Sequence, residues 1–159
     1  MDADRDASPV PTMLVTGQML LLAALAWPVD WPVRRPRRGV RLVGLTMLAT
    51  GGALALAGGL ALGPALTPSP VPRAGADLRT EGLYGRVRHP IYSGLLLAAG
   101  GRALSSGRRR HAVVALALTG LLDGKARYEE VHLRRVFPGY DAYAARTPRL
   151  VPALRAQPR

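Results

Sequence analysis

The chain has 159 residues, with 22 Lys+Arg against 10 Asp+Glu, a formal net charge of +12 and no cysteine. That length suits one domain, and the missing cysteine excludes disulfides and thiolate metal sites. At 48% hydrophobic residues the chain is not intrinsically disordered, and its charges are too segregated for an ordinary soluble fold.

Residues 1–9 form a tail with three Asp and one Arg, which is not the basic start of a signal peptide. Val10–Val29 is then uncharged for 20 residues, about the length that crosses a bilayer core. Trp27-Pro28 and Trp31-Pro32 follow, which suits an interfacial anchor better than a cleavage site. A tight loop, Asp30–Arg41, carries five Arg. Leu42–Pro72 is uncharged for 31 residues and holds Gly51, Gly52, Gly58, Gly59 and Gly63. Small residues of this kind let helices approach closely in lipid. Residues 10–66 therefore read as two transmembrane helices, and residues 67–81 as a Pro-rich linker.

The second half differs. Pro90–Gly101 and Ala112–Leu122 are uncharged runs of 12 and 11 residues, too short to span alone. Flanking Arg side chains that snorkel towards headgroups would extend them. With a polar turn at Ser105–His111 between them they predict a helical hairpin, Ile91–Leu104 and Ala112–Tyr128. It either crosses twice or enters partway. A helical stretch is expected to about Val136, broken by Phe137-Pro138-Gly139 and followed by a Pro-punctuated tail. The fold class is thus all-α, a polytopic integral membrane protein of about four apolar helices. Most Arg residues flank apolar segments, where membrane proteins meet anionic lipid, and no aromatics interleave the basic runs. Nucleic acid is accordingly not expected as a partner.

Three stretches carry chemistry. Gly82-Leu83-Tyr84-Gly85-Arg86-Val87-Arg88-His89-Pro90-Ile91-Tyr92-Ser93-Gly94 lies where a loop meets an apolar helix. Pro90 suits a first helical turn, and Gly94 lets another group near the backbone. Lys125-Ala126-Arg127-Tyr128-Glu129-Glu130-Val131-His132-Leu133 lies where the last apolar helix ends. Paired carboxylates there must be solvated, paired or used. Phe137-Pro138-Gly139-Tyr140-Asp141-Ala142-Tyr143 comes third, closed by Thr147-Pro148-Arg149-Leu150-Val151-Pro152.

In this order the stretches resemble the C-terminal catalytic region of the isoprenylcysteine carboxyl methyltransferase family, integral membrane enzymes that use S-adenosylmethionine. The matching positions are Gly82, Tyr84, Arg88, His89, Pro90, Tyr92, Gly94, Glu129, Glu130, Leu133, Phe137, Tyr140, Tyr143, Pro148 and Arg149. The chain departs from the pattern at Pro138, since Gly more often follows Phe directly. Phospholipid methyltransferases share a related arrangement, membrane sterol reductases a weaker one.

The resemblance implies a catalytic region over residues 82–152, a short tail at 153–159 and a variable scaffold before the linker. It implies catalytic roles for Arg88, His89 and Glu130. Tyr84, Arg88, His89, Pro90, Tyr92, Gly94, Glu129 and Glu130 would bind the cofactor, S-adenosylmethionine. No metal is implied. The implied acceptor is a lipophilic small molecule or lipidated group reached from the membrane lipid. Each role has a plainer competitor: headgroup contact for Arg88 and His89, an i,i+4 pair with Arg134 for Glu130, and interfacial anchoring for Tyr84 and Tyr92. Phe137, Tyr140 and Tyr143 either close the pocket or simply pack. His111 and His132 read as surface residues. Phospholipid amine N-methylation and a non-catalytic interaction protein are the rival functions. An amine must lose a proton, so that enzyme benefits from a base, for which His89 is available.

The Ala-, Gly-, Pro- and Arg-rich composition points to a GC-rich bacterial coding sequence, and hence to the inner membrane. A cytosolic cofactor places both chain ends and the linker on the cytosolic side. That puts 13 basic residues inside and nine outside, with Arg34, Arg35, Arg37, Arg38 and Arg41 opposing the positive-inside tendency.

Overall fold

A computed structural model describes residues 9–27, 36–71 and 77–151. The acidic tail, the Pro28 and Trp31-Pro32 anchor, Arg34 and Arg35, the middle of the linker and the segment from Pro152 onward lie outside the described residues. The described residues are helical with no strand. The helices are α1 (Val10–Ala26), α2 (Arg38–Leu62), α3 (Pro90–Ser106), α4 (Arg109–Val136) and α5 (Tyr140–Arg146), with a short 3₁₀ turn at Gly63–Ala65. Arg38–Ala65 is long and apolar enough to cross a membrane, whereas α1 is apolar but has 17 residues.

Several boundaries differ from the sequence reading for local reasons. α2 begins inside the expected Arg-rich loop, taking Arg38 and Arg41 into its first turns. It stops at Leu62 because Gly63 turns to a φ of 52° and Pro64 follows. The hairpin turn is tight: Gly107 is left-handed at φ 64°, and Arg108 N donates to Ser106 Oγ at 3.2 Å. α4 runs without interruption to Val136, so the second arm and the polar stretch are one helix of 28 residues. Arg134 and Arg135 in its last turn complement the helix dipole, and Pro138 prevents continuation.

The lateral order is α2, α3, α4, α1, each packed on the next. α2 and α3 meet backbone to backbone. The residues α2 buries are Gly44, Gly51 and Gly58, one every seven positions, the repeat that keeps one seam facing a partner. A Cβ on Gly44 would lie 2.5 Å from Ser105 N, and one on Gly94 2.5 Å from Ala55 N. Meanwhile Leu42, Val43, Leu45, Leu56 and Leu60 point outward, Leu60 being 72% exposed. A helix that buries glycine and displays leucine is turned inside out for water, and suits lipid.

α1, α3 and α4 enclose a small apolar core of Leu25, Ala99, Leu118 and Leu122. At the hairpin end, Arg102 Nε and Arg110 donate to carbonyls in the last turn of α1, at Leu25 and Ala24. His111, expected at the surface, is fully buried there: it turns inward and Nδ1 meets Ser106 Oγ at 2.7 Å. His132 is half-buried, tilted on the Tyr128 ring 4.6 Å away.

Candidate active site

The site lies at the other end of the bundle, where the loop before α3, the last turns of α4, α5 and the following segment converge. Gly82 opens the loop's turn at φ 60°. Tyr84, buried, donates to Gly58 O at 3.2 Å, so the last glycine of the α2 seam also anchors the loop. Tyr143 Oη donates to Tyr84 O at 2.6 Å, which ties α5 to the same residue. Burial raises both phenol pKa values, that of Tyr143 to about 12, so both remain donors at neutral pH.

Residues 148–150 strap the start of α3. Arg88 N donates to Pro148 O at 2.9 Å and His89 N to Arg149 O at 3.1 Å. Ser93 Oγ donates to Leu150 O at 2.5 Å. The strap delivers the Arg149 side chain to Glu130, which it grips with two parallel bonds, Nε to Oε1 at 2.9 Å and an Nη to Oε2 at 3.1 Å. Arg88 reaches Oε1 at 3.1 Å, and His89 Nε2 reaches it at 3.2 Å. Glu130 is fully buried. Burial alone pushes its pKa up, but the hydrogen bonds from His89 and Arg149 and the Arg88 charge win, holding it at about 2. Arg134, proposed above as its i,i+4 partner, stands 3.8 Å away and makes a closer pair with Asp141 at 2.9 Å.

Glu129 has another environment. Tyr92 Oη donates to Glu129 Oε2 at 2.8 Å, and His89 Nδ1 lies 3.7 Å from the same oxygen. The His89 and Tyr92 rings stack at 5.2 Å, 3° from parallel. His89 thus sits between the two adjacent carboxylates.

In front of these groups is a cavity of about 450 Å³, within the range of small-molecule and cofactor sites. Of the eight residues assigned to the cofactor, Tyr84, Arg88, His89, Tyr92 and Glu129 line it. Three do not. Pro90 is buried in the first turn of α3. The group that approaches the Gly94 backbone is α2 at Ala55, not a ligand. Glu130 stands behind the wall, its oxygens already taken. Phe137, Tyr140 and Tyr143 do line the cavity, and so do the scaffold, through Gln18, Leu62, Ala65 and Leu66, and the start of the linker, through residues 67–69.

Sequence reasoning missed two features of this wall. One is the Arg149 clamp, for which the Pro-Arg close gave a position but no role. The other is Lys125, buried and bonded to Gln18 across 107 residues at 2.6 Å. Its signal was compositional: Lys125 is the one lysine among 22 basic residues.

The cavity has aromatic faces, a carboxylate and cationic donors on its wall. Two buried polar atoms of lining residues, Arg88 Nε and Tyr140 Oη, have no hydrogen-bond partner. That donor set fits a ligand combining a flat ring, hydroxyls and charges of both signs, as S-adenosylmethionine does. Fold and site together define a helical protein with one helix long and apolar enough to cross a membrane and a cofactor-sized cavity at one end of its bundle. The chain belongs to the phospholipid methyltransferase family, which it matches over residues 40–139. It is also similar to the nickel-cobalt-cadmium resistance protein NccN of Alcaligenes xylosoxydans xylosoxydans, at 35% identity over 83 residues. That region is 52% of this chain and 39% of the relative, so the chain spans well under half of that protein's length. No solved structure matches.

Proposed function

We propose that the chain is an integral membrane methyltransferase moving a methyl group from S-adenosylmethionine to a lipophilic or lipidated acceptor, most like isoprenylcysteine carboxyl O-methylation. α1 to α4 cross the inner membrane, and the cavity end faces the cytosol. Residues 82–152 form the catalytic region, residues 10–66 the scaffold. The observation that carries the reading is the cavity, into which Arg88, His89, Glu129 and four tyrosines converge in a chain of this family.

When bound, the cofactor supplies an electrophilic methyl on a sulfonium. The protein's part is to orient and to exclude water. Tyr84, Tyr92 and Phe137 offer flat faces for a purine. Glu129 accepts hydrogen bonds from ribose hydroxyls. Glu130 acts through others: it fixes Arg88 and His89 so that both side chains keep their places on the wall. A carboxylate acceptor arrives as an anion and needs no base.

A second reading, N-methylation of a phospholipid amine, is favoured by the family match. It requires a proton acceptor, and the His89–Glu129 pair on the cavity wall would serve.

The deciding experiment is cofactor binding by the purified chain in lipid nanodiscs, followed by labelled methyl transfer to isoprenoid carboxylates and phospholipid amines. S-adenosylmethionine and S-adenosylhomocysteine should each raise Tm, and NADPH should not. Stabilisation by NADPH alone would replace the reading with a reductase. Glu129→Gln should weaken S-adenosylhomocysteine roughly ten- to a hundredfold, the effect of one hydrogen bond to a charged group. Unchanged affinity would remove Glu129 from the ribose.

A further inference from the structure

α1 is an apolar helix that buries two of its residues, Leu25 and Gln18. Turning an amide inward at mid-helix is unexpected unless a polar partner waits there. The partner is Lys125, 1% exposed, whose Nζ donates to Gln18 Oε1 at 2.6 Å. It also stands 5.4 Å from the centre of the Tyr92 ring. Among the described residues no carboxylate lies within 4 Å of that ammonium. An ammonium has three donors. One is used by Gln18, and among the described residues no other hydrogen bond involves Nζ. With Oε1 occupied, the Gln18 amide nitrogen is a donor as well. Both residues line the cavity, one helical turn beyond Glu129 towards the hairpin end. Glu129, one turn on along α4, acts on this ammonium electrostatically without an ion-pair contact within 4 Å, and a buried cation with no carboxylate in contact is costly as packing alone. Every other basic residue in the chain is Arg, and the compact point charge of Lys stands where an anion has room to approach.

We infer that Lys125 and Gln18 form a seat for a carboxylate at the inner end of the cavity, with Lys125 Nζ and the Gln18 amide as donors. The inference rests on the methyltransferase reading for its ligands, since a carboxylate reaches this cavity from either of two sources. One is the amino-acid end of the cofactor. The other is a carboxylate acceptor.

The test uses the full chain in lipid nanodiscs. Its probes are S-adenosylhomocysteine, the decarboxylated form of that compound, dodecanoate and methyl dodecanoate. Lys125→Met keeps length and apolar contact while removing the charge. Gln18→Glu places a carboxylate beside Lys125, which holds α1 to α4 at least as firmly but fills the seat from within. A loss of binding with Tm retained in Gln18→Glu is therefore not misfolding. If the cofactor supplies the carboxylate, both variants weaken S-adenosylhomocysteine roughly ten- to a hundredfold and leave the decarboxylated compound unaffected. If the acceptor supplies it, both weaken dodecanoate by a similar factor, leave its methyl ester unaffected and spare S-adenosylhomocysteine. Either result supports the seat. Wild-type affinity for both acids in both variants, with only Tm altered, would reduce the pair to a strut between helices and overturn it. S-adenosylhomocysteine bound independently of Lys125, with no dodecanoate binding, would overturn the seat and leave the methyltransferase reading standing. Lys125-dependent dodecanoate binding without any S-adenosylhomocysteine binding would do the reverse. A wild-type chain that binds neither acid would overturn the seat.

Discussion

The two halves of the bundle are held by opposite means. Between α2 and α3 the contact is made by absent side chains, with Gly44, Gly51 and Gly58 against the α3 backbone. Between α4, the loop before α3 and the 148–150 strap, the contact is made by charges, with Glu130 inside a ring of Arg88, His89 and Arg149. The first seam fails when an atom is added, the second when one is removed. Water-based intuition inverts in both: leucine lies outside and the ion cluster inside.

The largest expected effect comes from Glu130→Ala. It leaves Arg88 and Arg149 facing each other without their carboxylate, and breaking a buried pair in this way costs about 3–5 kcal/mol. Unfolding in detergent should show this as a large fall in Tm. A fall no greater than that of Glu129→Ala would mean that the cluster does not hold the fold.

Acidification removes the same charge without mutation. The Glu130 carboxyl is held at about 2, below its ordinary 4.5. Its contribution is therefore complete above about pH 4.5 and is lost as pH falls towards 2. A shift of this size corresponds to on the order of 3 kcal/mol. The pH dependence in that window should flatten in Glu130→Gln, and an unaltered profile would assign acid lability to other carboxylates.

Gly94→Ala tests the opposite seam. Its new Cβ would sit 2.5 Å from Ala55 N, so α2 and α3 must part, at roughly 1–3 kcal/mol. Gly52→Ala, on the open face of the partner helix α2 with nothing within 4 Å, should be neutral or slightly stabilising. Equal effects from the two would dissolve the distinction between seam and lipid face.

The smallest change expected is Arg127→Ala. Its pair with Asp123 at 2.8 Å is an exposed i,i+4 contact and should contribute about 0.3–0.5 kcal/mol. A Tm shift as large as that of Glu130→Ala would show that the surface charges of α4 are part of the cluster.

The helices, the hairpin and the return of both motif ends to one place were legible because charge-free runs and their polar ends set lengths and turns. The helical reach to Val136 was legible as well; what was not is how Asp123, where the polar stretch begins, is satisfied within that helix. In the structure Asp123 is satisfied by Arg127 and Arg149, and the helix passes through. Nor could the sequence say which of two adjacent glutamates faces the cavity. Neighbouring helical positions point about 100° apart, and the phase is fixed only by packing against α3. The bond between Gln18 and Lys125 joins residues 107 apart, beyond the reach of any local pattern. His111 escaped for a related reason: its burial depends on Ser106 across the Gly107 turn.

The strap has a consequence for how the molecule is made. Translation runs from one end, so α4 is complete while Arg149, 19 positions after Glu130, is yet to be joined. Until the strap docks, the Glu130 carboxylate lacks its two-pronged partner, and the start of α3 lacks the carbonyls that receive Arg88 N and His89 N. Helix packing and site assembly are thereby separable. The bundle can form while its pocket is still open to water, and the wall is locked only when the strap has docked.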